Sequence, residues 1–426
     1  MNSEPTLISE LNDDNLFVIS QYLAFNDIIS VSLCNNDLNK SMKQARIWDI
    51  LCKKYFKPSK NINNSKKHFA EYIEKYGSKS IVMFKQITRL WKLVTRYFET
   101  YYKDILKTFK DPLSKDELLH FKTKIESGKS KGCKIPTDYL IFIGECCSGQ
   151  INAEILNNKF SYGAKRALFN GFYGYYSFYN YNGSSFLLDT NGIITQESIL
   201  NNSFKNYDKM LLFAGSQSGT VPNFTFLRLT DGKIVKKTSD QTVIDNLPYN
   251  ESFGAHLTWY VGELMKNHFR ITKKGILRFI LKDDTHNTVG ISNTGNIITR
   301  SSPLFIPEMS VTNKRYVFPY RIEIECPDEN TSCPRGVLTT RQWRIKKDNT
   351  NNIDTVNGPG VIGLYPQVYP GQSLFGYQSC VHQKIPNNCW MEGSFQFIPQ
   401  NPKNNGDMFE LEIARYTTDI NKSQWI

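Results

Sequence analysis

The strongest constraint on this chain is a period of two. Between residues 317 and 416, apolar and polar side chains alternate in short runs at 317–325, 342–346, 361–363, 374–379, 391–398 and 409–416, with turn residues between them and no helical stripe. Successive side chains of a strand face opposite sides, so each run has one face to bury and one to show to water. Turn signals at roughly 8–12-residue spacing belong to sandwiches and barrels, and a β-sandwich of about seven strands is expected.

The rest of the 426 residues reads differently. Residues 11–56 carry short amphipathic helices: Leu16, Ile19 and Leu23 share a face, Ile28, Ile29, Val31 and Leu33 follow, and Leu38, Met42, Ala45, Trp48, Leu51, Cys52 and Tyr55 form a third stripe. So short a segment makes a thin core, and part of its apolar surface needs cover from another protein or from the next domain. Residues 57–114 form a basic, aromatic-rich helical linker in which Ile87, Leu90, Trp91, Val94, Phe98, Tyr101 and Ile105 follow helical spacing. Residues 115–300 begin with a helix capped by Ser114. Short aromatic and β-branched runs come next, with hairpin signals at Asn182-Gly183, Asn191-Gly192 and Asp231-Gly232, and a closing helix runs through Phe253, Leu257, Tyr260, Val261 and Leu264. Helix, meander, helix is an α+β layout. The aromatic stretch at 172–181 offers a stacking surface or an anchor for a partner, but its β-propensity favours a meander strand with alternate rings buried.

Composition narrows the function classes. A hydrophobic content of 40% and an aromatic content of 13% can fill two or three cores. No apolar run reaches the roughly 18 residues that cross a bilayer, and the start, Met1-Asn2-Ser3-Glu4-Pro5, lacks a basic region before an apolar one, so a protein without a membrane partner and without secretion is expected. Nine cysteines, an odd and thinly spread number, suit reduced thiols in the cytoplasm or nucleus. Of the net charge of +12, nearly all lies in residues 53–110, where fifteen bases face four acids. No nucleic-acid motif accompanies them, so a solvated helix face is expected there rather than a specific nucleic-acid site.

Leu11-Asn12-Asp13-Asp14-Asn15-Leu16-Phe17-Val18-Ile19-Ser20-Gln21-Tyr22-Leu23, followed by Asp27-Ile28-Ile29, Ile47-Trp48 and Lys53-Lys54-Tyr55-Phe56, resembles an F-box, with Asn12 in place of the family's usual proline. The stretch Ile135-Pro136-Thr137-Asp138-Tyr139 with the later Ser148-Gly149 is similar to the signature of the SUKH superfamily, of the Smi/Knr type, whose members are protein-binding modules. Five ordered patterns look like an ApaG domain: Tyr320-Arg321-Ile322-Glu323-Ile324; Arg341-Gln342-Trp343-Arg344-Ile345; Val356-Asn357-Gly358-Pro359-Gly360-Val361-Ile362-Gly363; Pro370-Gly371 leading to Tyr377-Gln378-Ser379; and Met391-Glu392-Gly393-Ser394-Phe395. Together these resemble the F-box only protein three family.

The resemblance implies a multidomain chain: an all-α F-box at 11–56 and the helical linker at 57–114, an α+β SUKH-like domain at 115–300, and an all-β ApaG sandwich, fibronectin type III-like, at 311–426. It implies a non-catalytic substrate receptor of a Skp-cullin-F-box ubiquitin ligase, with Leu11, Leu16, Ile19, Leu23 and Trp48 meeting the Skp adaptor and, through it, cullin and a RING protein. The downstream modules would hold a protein substrate. Neither catalytic residues nor a cofactor or metal is called for. Two other classes stay open: an F-box scaffold acting outside the ligase, and a sensor of a small anionic ligand at the glycine loop. Gly358, Gly360 and Gly363 match G-x-G-x-x-G, but Pro359 removes an amide that a phosphate loop would use and a strand-like run follows. Tight turns between strands explain those glycines better, while the ApaG resemblance suggests a ligand or substrate loop. Cys326, Cys333, Cys380, His382 and Cys389 lack the close pair that holds structural zinc.

Overall fold

The computed structural model describes residues 13–21, 23, 25–34, 36–42, 44–56, 65–77, 80–128, 132–150, 171–195, 209–216, 223–273, 275–281, 288–326, 334–350, 352–371, 374–400 and 408–423. The N-terminal helices are α1 (Asp13–Ser20), α2 (Phe25–Ser32), α3 (Asn36–Met42) and α4 (Ala45–Tyr55). α2 packs on α3 and α1 packs on α3 and α4, while the apolar face of α4 is covered by the next helix, α5 (Ser65–Tyr76), and by α6 (Ile81–Tyr101). The ring of Trp48 lies 5.5 Å from that of Phe69, and Phe56 sits 4.9, 5.3 and 5.0 Å from Phe69, Tyr72 and Phe84. Edge-on packing of this kind adds to the burial of large rings.

The basic linker is one of the main supports of the middle module. After α6 come α7 (Lys103–Leu106), α8 (Lys115–Ser127) and α9 (Thr137–Glu145), and the helix expected near residue 253 is α10 (Phe253–Met265). Ile87, Val94 and Phe98 of α6 are fully buried, Trp91 packs 5.4 Å from Phe142 of α9, and Gln86 donates 3.1 Å to Thr258 of α10. Ser114 caps α8 as expected, with a reciprocal box: its backbone N–H donates 2.8 Å to the Glu117 carboxylate, and its hydroxyl accepts 3.3 Å from the Glu117 N–H. Asp138, in the Ile135–Tyr139 stretch, is buried and accepts 2.8 Å from the Gly254 N–H in the first turn of α10. Burial pushes its pKa up, while that N–H and the Tyr139 N–H stabilise the carboxylate. It holds α9 against the positive end of α10.

Two sheets fill this module. Strands β3 (Phe186–Leu187), β4 (Met210–Ser216), β5 (Asn223–Arg228), β6 (Ile234–Lys237) and β7 (Val243–Ile244) pair in that order, all antiparallel. Strands β1 (Tyr175–Phe178) and β2 (Tyr181–Ser184) join β8 (Phe269–Thr272) and β9 (Gly275–Ile280) in the order β2-β1-β9-β8, with β1 and β9 parallel. The helix expected to close the module is therefore followed by two more strands. Asp231-Gly232 does turn between β5 and β6, with Gly232 at φ 77°. Asn182-Gly183 instead lies inside β2, and Asn191-Gly192 in a helical turn. In the aromatic stretch nearly all rings are buried, not alternate ones, because both faces of β1 are covered; Tyr179 and Tyr181 are exposed.

The C-terminal region is a sandwich whose sheet reaches back past the expected boundary. Strands β10 (Gly290–Thr294) and β11 (Ile297–Pro303) pair with β12 (Tyr316–Glu325), which pairs with β16 (Phe375–Gln383). The second sheet runs β14 (Asp354–Pro359), β13 (Gly336–Lys346), β17 (Cys389–Pro399), β18 (Phe409–Thr418), with β15 (Gln367–Val368) also on β13. The division expected between 300 and 311 thus falls inside a continuous sheet. Trp343 fills the interior, 5.9 Å from Tyr320 and 5.6 Å from Phe395. Bridges tie the sandwich to the middle module: Lys236 to Glu308 at 3.0 Å, Arg270 to Glu323 at 2.6 Å, and the Tyr179 and Ser379 hydroxyls at 2.6 Å. Cys326 is disulfide-bonded, which departs from the expectation of reduced thiols; Cys34, Cys52, Cys133, Cys146, Cys147, Cys380 and Cys389 are free.

Candidate functional site

The stripe expected to meet a Skp adaptor divides in the folded chain. Leu16 and Trp48 are buried, Leu23 is half-buried against the core, and Leu11 lies outside the described residues. Ile19 is 40% exposed, beside Val18 at 52%, and Leu33 projects at 79%. Leu16 and Trp48 therefore shape the helices from inside. Helical periodicity identifies a common face, but it does not say whether that face is covered by the chain's own α5 or by a partner. Arg46 fixes α1 to α4, pairing with Asp14 at 2.8 Å and lying 4.5 Å from the Phe17 ring.

The glycine motif is part strand and part turn. Gly358 lies within β14, opposite Arg341 of β13, which corrects its placement in a loop. Gly360 follows at φ 55°, and a Cβ there would meet the Leu364 carbonyl oxygen at 2.5 Å, so this position takes only glycine without strain. Val361 and Leu364 pair across Ile362 and Gly363, both with positive φ, 51° and 73°. That is the mirror-image hairpin turn whose twist suits flanking strands. Ile362 is branched at Cβ and pays for this conformation in steric strain.

Behind the turn lies a cleft of ≈ 360 Å³ between the sheets, walled by Arg341 and Trp343 of β13, Val356 of β14, Tyr377 and Ser379 of β16, and Ile362. The Arg341 guanidinium donates to the carbonyls of Pro359 and Gly360 at 2.8 and 2.6 Å. Burial raises the Tyr320 pKa to about 12, and that of Tyr377 rises for the same reason, so both phenols keep their protons and can donate. Burial, with Arg315 and Lys347 nearby, lowers the pKa of His382 on the same wall. Cys380 Sγ is 3.9 Å from His382 Nε2, and among the described residues no group of three His, Cys, Asp or Glu side chains is placed to hold a metal.

The ApaG domain model matches residues 307–399. F-box only protein 3 of Bos taurus is 24% identical over 409 residues, covering 93% of this chain and 80% of its own. The Arabidopsis thaliana F-box protein SKIP16 is 21% identical over 458 residues, 97% of this chain and 98% of its own. Protein ApaG of Chromobacterium violaceum is 34% identical over 119 residues, 28% of this chain and 86% of its own. The chain is similar to F-box only protein 3 along nearly its whole length. Its C-terminal sandwich is an ApaG domain, and the similarity runs through the N-terminal helices and the middle module as well.

Within that frame, Arg341 is the residue that sequence reasoning passed over. It stands at an inward position of a strand whose next inward residues are Trp343 and Ile345, both buried. A cation in an otherwise apolar stripe is the signal that would have marked it, because such a charge needs a carbonyl, a carboxylate or a ligand.

Proposed function

We propose that this chain is the substrate-recognition subunit of a Skp-cullin-F-box ubiquitin ligase. The observation that carries the reading is the similarity to F-box only protein 3 over 93% of the chain, which spans helices, middle module and sandwich together. In this reading residues 11–56 are the F-box, 57–114 join it to a SUKH-like module at 115–300, and the ApaG sandwich is fibronectin type III-like. The exposed Val18, Ile19 and Leu33 supply an apolar face for the Skp adaptor, which connects the chain to cullin and a RING protein in the cytoplasm or nucleus. The chain itself does no chemistry. It raises the effective concentration of a bound target's lysines at a charged conjugating enzyme.

The test follows the exposure pattern. Val18→Asp with Ile19→Asp alters solvent-facing positions and spares the interior held by Leu16 and Trp48. Recovery of Skp and cullin with the tagged chain is expected to fall at least tenfold while the melting profile is unchanged. Wild-type recovery by the double variant would remove this face from the adaptor contact.

A further inference from the structure

The ApaG sandwich has two seams where edge strands of its opposed sheets approach. At one, hydroxyls of β10 and β11 cap the edge of β18: Ser292 and Thr299 both donate to the Glu412 carbonyl, Thr299 at 2.7 Å. At the other, β14 and β16 flank the cleft, and among the described residues no hydrogen bond joins them. The β1–β2 hairpin covers part of β16, with the Ser177 N–H donating 3.3 Å to the Gln378 side chain and Tyr179 bonded to Ser379. Among the described residues, the backbone of β14 bonds to β13 and to the Arg341 side chain.

Unpaired edges are ordinarily blunted by lysine, by a bulge or by covering structure. β14 has no lysine and, among the described residues, no covering element; Asp354 and Pro359, which also discourage pairing, stand only at its two ends. Its residues are exposed or nearly so, and Val356 leads into the exposed apolar side chains of Ile362, Leu364 and Tyr365. The cleft beside it has Arg341, Lys347 and His382 on its wall and no Asp or Glu. Lys347 is answered by Asp354 at 2.9 Å, but among the described residues no carboxylate answers Arg341, whose guanidinium is pre-oriented by two carbonyls. An open edge supplies affinity through the main chain, and an adjacent charged pocket supplies selectivity.

We propose that the β14 edge receives an extended acidic segment of the target protein, which adds as an outer strand and places an Asp or Glu carboxylate on Arg341. This deepens the receptor reading and rests on it. The target segment alternates, with its carboxylate directed into the cleft and an apolar residue two positions on directed toward Ile362 and Leu364.

Random decapeptides displayed on phage and selected on the full chain test this directly. Enriched sequences are expected to hold an Asp or Glu within an alternating apolar pattern. As synthetic peptides they should lose at least tenfold in affinity against Arg341→Glu and against Val356→Asp, with the thermal melt of each variant unchanged from wild type showing that the loss is of binding and not of folding. Bound peptide should slow amide exchange in residues 354–359, and N-methylation of its backbone should abolish binding. Peptides without acids, binding indifferent to Val356→Asp, or protection elsewhere would overturn the proposal. So would protection by sodium pyrophosphate with no peptide enriched, which would make the cleft a small-anion site. Skp recovery measured on the same variants separates the two readings: failed peptide selection with Skp retained removes only this proposal, whereas a wild-type chain that recovers no Skp removes the ligase reading beneath it.

Discussion

The two seams of the ApaG sandwich solve one problem in opposite ways. Where β10 and β11 meet β18, the outermost carbonyls of an edge strand receive side-chain hydroxyls, and Gly290 lets the backbones come so close that a Cβ would strike the Ala414 carbonyl oxygen. Where β14 meets β16 the sheets stay apart, and the gap is lined by aromatic rings and one cation without a carboxylate. A seam sealed by short polar side chains contributes to stability and offers nothing to a partner. A seam left open keeps donors, acceptors and apolar surface in reserve, which is the usual bargain at a binding site.

The widest contrast comes from adding a side chain at each seam. Gly290→Val drives a branched Cβ into the backbone of β18 and is expected to cost about 4 kcal/mol or more, because neither edge can retreat without breaking the Ser292 and Thr299 bonds. Gly360→Val must give up φ 55° and the close approach of the Leu364 carbonyl, but the turn is at the surface and can shift, so about 1–3 kcal/mol is expected. Urea melts of the two variants measure the difference. Equal losses would mean that the open seam is as tightly coupled to the core as the closed one.

Acid acts away from both seams and separates the middle module from the sandwich. His256 of α10 is buried among Tyr173 and Trp259, and burial, then the charge of Lys236, hold its pKa down at about 3, although a backbone hydrogen bond at Tyr249 works the other way. Above pH 6.5 the group is neutral folded or unfolded and changes nothing. As pH falls from 6.5 toward 3 the unfolded chain takes up a proton that the folded chain refuses, so stability is lost through that window, roughly 3 kcal/mol by pH 4. His256→Phe should flatten this limb of the stability-against-pH curve. Signals from the middle module and the sandwich, followed by hydrogen exchange, should part in acid, and an unchanged slope in the variant would assign the acid sensitivity to another group.

What the sequence made legible follows from the same contrast. Alternation located β12, β13, β16, β17 and β18 but not β14 or β15, and its run at 361–363 is a turn; the need for φ > 0 at Gly360 was readable from glycine in a turn. Ser114 followed by Glu117 announced a helix start, and the α6 stripe announced a packed helix. Periodicity could not show that β10 and β11, short and rich in Ser, Thr and Asn, belong to the sandwich, because their inward hydroxyls are justified only by carbonyls of β18 that lie more than a hundred residues away. Nor could it show that Leu16 and Trp48 face inward while Ile19 faces out. In each case one periodic pattern permits two covers, and only the tertiary fold chooses between them.

The smallest expected effect sharpens the comparison most, because it sets stability against recognition at one residue. Ile362 holds φ 51° and is 42% exposed, at the tip of the turn beside the open seam. A residue branched at Cβ is strained there by about 1–2 kcal/mol, while glycine accepts the angle but loses roughly 0.5–1 kcal/mol of unfolded-state entropy and some apolar contact. Ile362→Gly is therefore expected to stabilise the sandwich slightly, by less than about 1 kcal/mol. If the side chain is there to be touched, the same variant should bind the selected acidic peptides several-fold more weakly, in line with the general cost of stabilising a strained functional position. Calorimetry paired with peptide anisotropy gives both numbers on one sample. A variant that melts earlier would show that Ile362 is held by its contacts with the cleft wall, and its backbone angle would then be a consequence of packing instead of a strain kept for a partner.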